Sequence, residues 1–201
     1  MWFIGDVHAN FFRYGWLLRN YDCSVQLGDL GLGFPKTPIN AVPEYTTHKF
    51  IRGNHDNPIV CQKHPNYLGD YGIVENISLF FISGAVSVDR HLRKENVNWW
   101  ADEQLNVPSL QKMVELYIEK KPRIVVSHDC PETVAWMMMS DKRMLEDVSD
   151  TRDYLQAAFE EHSPEYWLFG HWHITKKMKI KNTEFICVGE LDAVEIEGLI
   201  W

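Results

Sequence analysis

Five short stretches of the 201-residue chain set acidic, amide or imidazole side chains beside glycine or serine. They are Gly5-Asp6-Val7-His8, Gly28-Asp29, Gly53-Asn54-His55-Asp56, Ser127-His128-Asp129 and Gly170-His171-Trp172-His173. Any one of them is a common dipeptide or tripeptide. Together they offer carboxylate, amide and imidazole donors, a mixed oxygen and nitrogen set that suits borderline divalent ions such as manganese, iron, zinc, nickel or cobalt. The glycines have a separate use, since a residue without Cβ lets the chain turn sharply and lets backbone approach a bound phosphate. Thiolate ligation is not indicated, because Cys23, Cys61, Cys130 and Cys187 lie far apart with no CxxC pair. That spacing also argues against a disulfide scaffold and fits reduced thiols in a cytosol.

The elements that must carry these groups follow from the apolar pattern. Trp2 to Ile4, Cys23 to Leu27, Lys49 to Ile51, Ile124 to Val126 and Tyr166 to Phe169 read as short strands, and each runs into one of the five polar stretches. Ile73-Val74 and Leu79 to Ile82 add strands, and Met178 to Ile180 with Glu184 to Val188 predicts a hairpin turning at Asn182-Thr183. Helical spacing marks Phe11 to Leu18 behind Asn10, Leu110 to Ile118 behind Pro108-Ser109, and Thr151 to Glu161. Glycines and prolines between residues 31 and 43 predict a long loop that walls the site. The alternation of element types indicates an α/β fold. No linker or repeat divides the chain, so a single domain over residues 1–201 is expected.

Composition narrows the partners. A formal charge of −8 argues against an extended nucleic-acid surface while leaving a local phosphate site open. No segment approaches the ~18 apolar residues of a membrane span, and the N-terminus lacks a basic start and a hydrophobic signal core. A cytoplasmic protein without membrane association is therefore expected, of oligomeric state that the sequence leaves open.

In order, GDVH, GDLG, RGNHD, SHD and GHWH resemble the signature blocks of the calcineurin-like metallophosphoesterase superfamily, over residues 5 to 173. The resemblance implies an α/β/β/α sandwich of two mixed sheets with metals at the strand ends. It implies one divalent ion, manganese by first choice, on Asp6, His8, Asp29 and His173. It implies a second on Asp29, Asn54, His128 and His171, with Asp29 bridging. A hydroxide held between the ions then attacks phosphorus with no covalent phosphoenzyme, and His55 protonates the departing alkoxide. Asp56, next in sequence to His55, is the candidate carboxylate partner for that imidazole. His48, His64 and His162 sit in no block and read as structural.

The stretch from Ser83 to Leu105 resembles an insert of small bacterial and phage metallophosphoesterases, and it gathers Arg90, His91, Arg93 and Lys94 ahead of Trp99-Trp100 and Glu103. Arg90 or Arg93 is the candidate grip on a phosphate oxygen, against the plainer expectation of core tryptophans and ion pairs with Asp89 and Glu95. Met137 to Met139 read as packing. The chain has GDLGLG and GNHD where the protein phosphatase branch of the superfamily usually has GDxVDRG and GNHE. The expected activity is hydrolysis of a small or nucleotide-like phosphate ester, with diesters favoured. A metal-dependent nuclease or a protein phosphatase is the enzymatic alternative, and a noncatalytic scaffold of the same fold is the alternative from another class.

Overall fold

Neighbouring residues in nearly every apolar run face different cores, which is why the runs are short and almost uninterrupted. The computed structural model describes residues 1–33, 47–145 and 147–201. The proline-rich loop expected over 31–43 therefore lies, beyond residue 33, outside the described residues. In chain order the elements are β1 (Trp2–Ile4), α1 (Phe11–Asn20), β2 (Ser24–Leu27), β3 (His48–Ile51), α2 (Pro58–Cys61), β4 (Tyr71–Val74) and β5 (Leu79–Ile82). They continue with α3 (Val107–Lys120), β6 (Ile124–Ser127), α4 (Glu132–Met138), α5 (Asp150–Glu161), β7 (Tyr166–Phe169), β8 (Lys176–Ile180), β9 (Thr183–Cys187) and β10 (Ala193–Glu195).

One sheet has the order β10-β1-β2-β3 and the other β4-β5-β6-β7-β9-β8. In the first, β1, β2 and β3 are parallel and β10 is an antiparallel edge. In the second, β5, β6, β7 and β9 are parallel between the antiparallel edges β4 and β8. Phe3, Val25, Leu27 and Ile51 of the first sheet pack with Leu79, Phe81, Ile124, Val126, Leu168 and Ile186 of the second in one buried cluster. The alternate residues Phe80, Val125, Trp167, Phe169 and Phe185 join Leu110, Met113 and Tyr117 of α3, Val134 of α4, and Leu155 and Phe159 of α5. On the far side Ile4 and Phe50 pack with Tyr14, Leu17 and Leu18 of α1 and Cys61 of α2. The period-two alternation thus feeds three cores, and the result is the four-layer α/β/β/α sandwich with two mixed sheets.

Side-chain caps start the helices where the pattern breaks. Asn10, Asn57, Asn106 and Ser149 each accept a backbone N–H of the first turn. Helices α2 and α4 and strand β10 lack a readable signature, being short. The hairpin turns one residue earlier than its Asn182-Thr183 signal, since Thr183 already pairs with Ile180 and Lys181 takes the left-handed conformation. Met138 and Met139 are buried and pack in the core, whereas Met137 is exposed, so packing accounts for two of the three methionines. No described helix is long and apolar enough to cross a membrane.

Because β1, β2, β3, β6 and β7 all end on one side, the five polar stretches project from a common edge, where open α/β sheets carry their ligand sites. The largest side chain supporting that edge is Trp167, fully buried, stacked on Phe185 and donating from Nε1 to Ser127 Oγ at 2.8 Å. Trp167→Ala should cost about 3–5 kcal/mol of unfolding free energy. Denaturant titration checks this, and a loss within experimental error would contradict the packing described.

Candidate metal centre

Asp6 follows β1 and is fully buried, with Oδ1 accepting the backbone N–H of His171 at 3.0 Å. Its Oδ2 makes no hydrogen bond of acceptable geometry, although His173 Nε2 lies 3.0 Å and His8 Nε2 3.6 Å away. The two imidazole nitrogens are themselves 2.9 Å apart. An orphaned buried carboxylate oxygen facing two converging ring nitrogens is a donor set that fits a divalent cation.

Asp29 follows β2 and points its two oxygens in different directions. Oδ2 lies 3.9 Å from His8 Nε2, while Oδ1 lies 3.3 Å from His128 Nε2 and accepts the backbone N–H of His55 at 2.8 Å. Donor atoms of Asp6, His8, Asp29 and His173 lie within 4.8 Å of one another, and those of Asp29, His128 and His171 form a second group by the same measure. Asn54 Oδ1 adjoins the second group, 3.1 Å from His128 Nε2. Nδ1 of His128 meets the Leu27 carbonyl at 2.7 Å, which turns Nε2 toward the carboxylates. All seven residues read from the five stretches as ligands thus meet in space.

The backbone is shaped to make them meet. His8, Ala9, Asp29, His171 and His173 all have φ between 45° and 66°, a left-handed conformation that costs a residue with Cβ about 1–2 kcal/mol. Such strain persists only where surroundings hold it. Here the amides of Val7 and His8 both donate to the Asp29 carbonyl, at 3.0 and 2.9 Å. Gly53 allows the closest approach, since a Cβ there would collide with the Asp29 carboxylate and the His128 ring. Trp172, read as a packing residue, is buried and also donates from Nε1 to Asp129 Oδ1 at 3.0 Å, tying the loop of His171 and His173 to the strand end that carries His128.

Asp56 directs both oxygens at four backbone amides: those of Leu30 and Gly53 reach Oδ2, those of Gly31 and Leu32 reach Oδ1. It clamps the loop after β2 to the loop after β3. His55 itself places Nε2 3.9 Å from Asp29 Oδ2 and 3.3 Å from Arg93 Nη2. Arg93 is held by Asp89, at 2.9 Å through Nε and 2.5 Å through Nη2. Arg90 stacks on Trp99, its guanidinium carbon 4.2 Å from the ring centroid. The plainer expectation holds for the tryptophans, with Trp99 and Trp100 buried, and for the Arg93–Asp89 ion pair, and the segment also brings Arg93 to His55. His48, His64 and His162 make hydrogen bonds to Ser24, to the Asn66 amide and to the Pro122 carbonyl.

Electrostatics follow from burial and charge. Desolvation works to raise the Asp6 carboxyl, but the imidazoles of His173 and His8 beside it outweigh burial and lower the pKa to about 2. Asp29 is likewise held well below the ordinary carboxylate range, against its burial, by His128 and His55. Burial pulls His128 down, yet Asp29 and Asp6 push it up to about 10, whereas burial leads in taking His171 down to about 4. Burial also lowers His55, with Arg93 and His8 adding to the effect against Asp29.

A family model for calcineurin-like phosphoesterases matches residues 1–175. The chain belongs to this family. As a calcineurin-like phosphoesterase it is a metal-dependent hydrolase of phosphoric esters. The matched span closes just after the loop of His171 and His173, so β8, β9 and β10 complete the two sheets beyond it. The fold is shared with the phosphopantetheinyl hydrolase of Mycobacterium tuberculosis, at TM-score 0.54 and 10% identity over 94% of this chain and 89% of that one. It is shared too with a putative 5'-nucleotidase from Staphylococcus aureus in complex with alpha-ketoglutarate, at TM-score 0.52 and 15% identity over 95% of this chain and 48% of that one. A search of curated proteins found no match.

Ligation at Nε2 requires His128 to give up the proton that Asp29 and Asp6 stabilise. Metal binding near pH 7 should therefore release protons, from His128 and also from His8, and weaken as pH falls. Calorimetric titration with Mn2+ in buffers of different ionisation enthalpy reads this directly, and identical heats in all buffers would refute it.

Proposed function

We propose that the phosphoesterase holds two divalent ions and hydrolyses a small or nucleotide-like phosphate ester. The observation that carries the reading is the split of Asp29, with one oxygen toward the group of Asp6, His8 and His173 and the other toward His128 and its neighbours. A pair of ions bound there supplies an activated water and Lewis-acid stabilisation of phosphoryl charge. Asp6, His8, Asp29 and His173 would hold one, and Asp29, Asn54, His128 and His171 the other. Manganese is our choice of metal, because the donor set mixes carboxylate and amide oxygen with imidazole nitrogen and contains no thiolate.

Around that centre the chain's own residues do the rest. His55 faces the site at the Asp29 carboxylate and donates a proton to the leaving oxygen. Its lowered pKa works against that role in the free protein. An anionic ester drawn in beside it by Arg93 adds negative charge and so favours the imidazolium. Arg93, oriented by Asp89, is the substrate grip; Arg90 is a second candidate only by virtue of the same loop. Asp56 acts by holding two loops together, with no proton to transfer while four amides occupy its oxygens.

Diesters are favoured over phosphoproteins by the missing GDxVDRG and GNHE blocks. The shared central core between the sheets supports one domain over 1–201, and four free, buried cysteines suit a reducing cytoplasm.

Activity on an aryl phosphodiester should vanish on chelation and return with Mn2+; full activity after chelation would sink the proposal. Asp29→Asn should weaken both metal-binding events in a titration. His55→Ala should bind metal normally but slow esters with poor leaving groups about 10²–10⁴-fold while sparing those with good ones. Equal losses across leaving groups would reject His55 as the acid. Arg93→Ala should raise KM about 10–100-fold, the worth of a charge-assisted hydrogen bond.

A further inference from the structure

Ser87 and Glu103 lie at opposite ends of the 83–105 segment, and both are buried. Glu103 Oε1 accepts the Ser87 backbone N–H at 3.1 Å, and Oε2 accepts the Ser87 hydroxyl at 2.5 Å. The Ser87 oxygen in turn lies 3.0 Å from Asn54 Nδ2. Glu103 is fixed from the other side as well, because its carbonyl accepts from Arg52 Nη1 at 2.7 Å while Gly84 donates to the Arg52 carbonyl at 2.8 Å. Arg52, which precedes the Gly53-Asn54-His55 block, is thus a strut under the segment.

The direction of these bonds matters. A carboxylate offers acceptors alone, so the single proton of the Ser87 hydroxyl is committed to Glu103. The serine oxygen then has only lone pairs left, and its remaining partner must be a donor. Of the two ends of the Asn54 amide only the NH2 satisfies it, and the amide oxygen is forced to the opposite side, where His128 Nε2 lies at 3.1 Å. A flipped amide would set two acceptors against each other at Ser87 and turn an N–H donor toward the site.

We propose that Glu103, acting through Ser87, is a positioning residue that holds the Asn54 amide with its oxygen toward the group of Asp29, His128 and His171. The inference rests on the reading of Asn54 as a metal ligand, and it gives the 83–105 segment a task beyond presenting Arg93. Glu103→Gln tests it with little change of shape. Glutamine has one acceptor oxygen where two donors arrive, so it must either oppose the Ser87 N–H or donate to the Ser87 hydroxyl, and the latter reverses the polarity of the whole chain of bonds.

The experiment is calorimetric titration of the full chain with Mn2+, alone and without substrate, for the native sequence, Ser87→Ala and Glu103→Gln. The native protein should bind two ions. Both variants should keep one event unchanged and weaken the other about 10–100-fold, the usual effect of removing a partner that orients a ligand. In an Asn54→Asp background, whose carboxylate presents oxygen either way round, adding Ser87→Ala should change that affinity by less than about threefold. Two ions bound with native affinity by both variants would overturn the relay alone. Parallel weakening of both events together with a lowered melting temperature would show a merely structural role and overturn it too. A native protein that binds one ion would overturn the two-ion reading and the relay with it.

Discussion

Two fully buried carboxylates, Asp6 and Asp29, stand where the two sheets meet, and the local structure is organised around their charge. Removing an ion from water costs several kcal/mol even after the protein relaxes, so each must be matched by cations or donors close at hand. Histidines from the same and from other strand ends supply this, reaching Asp6 from His8 and His173 and Asp29 from His8, His55 and His128. The same concentration of negative charge favours divalent cations.

Geometry at this edge is held by groups that never need to touch a substrate. Asp56 ties four amides, Asp129 holds the indole of Trp172, and the Leu27 carbonyl turns His128. With the amides of His8 and Ala9 bonded to the Asp29 and Leu30 carbonyls, they surround five residues in left-handed conformations that run against intrinsic preference. The candidate ligands therefore occupy a cage stiffened from behind, which suits a site that must keep like charges close together.

The 83–105 segment joins this cage from outside the five polar stretches. Its tryptophans are buried, its Arg93, held by Asp89, reaches His55, and its Ser87, held by Glu103, reaches Asn54. One segment thus touches both the candidate proton donor and a candidate ligand. Changes of loop sequence there would alter chemistry and specificity together.

Much of this was legible in the chain itself. Short apolar runs ending in GDVH, GDLG, GNHD, SHD and GHWH state that strand ends carry the donors, because alternation along a strand and the turn chemistry of glycine are local properties. The seven candidate ligands and His55 come from the resemblance of those blocks to the calcineurin-like family. Helices α2 and α4 and strand β10 were not legible, since three to seven residues carry too little periodicity to stand out. Nor was the occupation of Asp56 by backbone amides, the choice of Arg93 over Arg90, or the Asn54–Ser87–Glu103 chain of hydrogen bonds. Those depend largely on contacts between residues far apart in sequence, such as Ser87 and Glu103, Asn54 and Ser87, or His55 and Arg93, and sequence spacing sets no distance between side chains on different loops. Local pattern, with the family resemblance of its blocks, marked which residues are candidates for the chemistry; only the stacking of two sheets decided which of them face one another, because burial and hydrogen-bond geometry exist only once distant strands are packed.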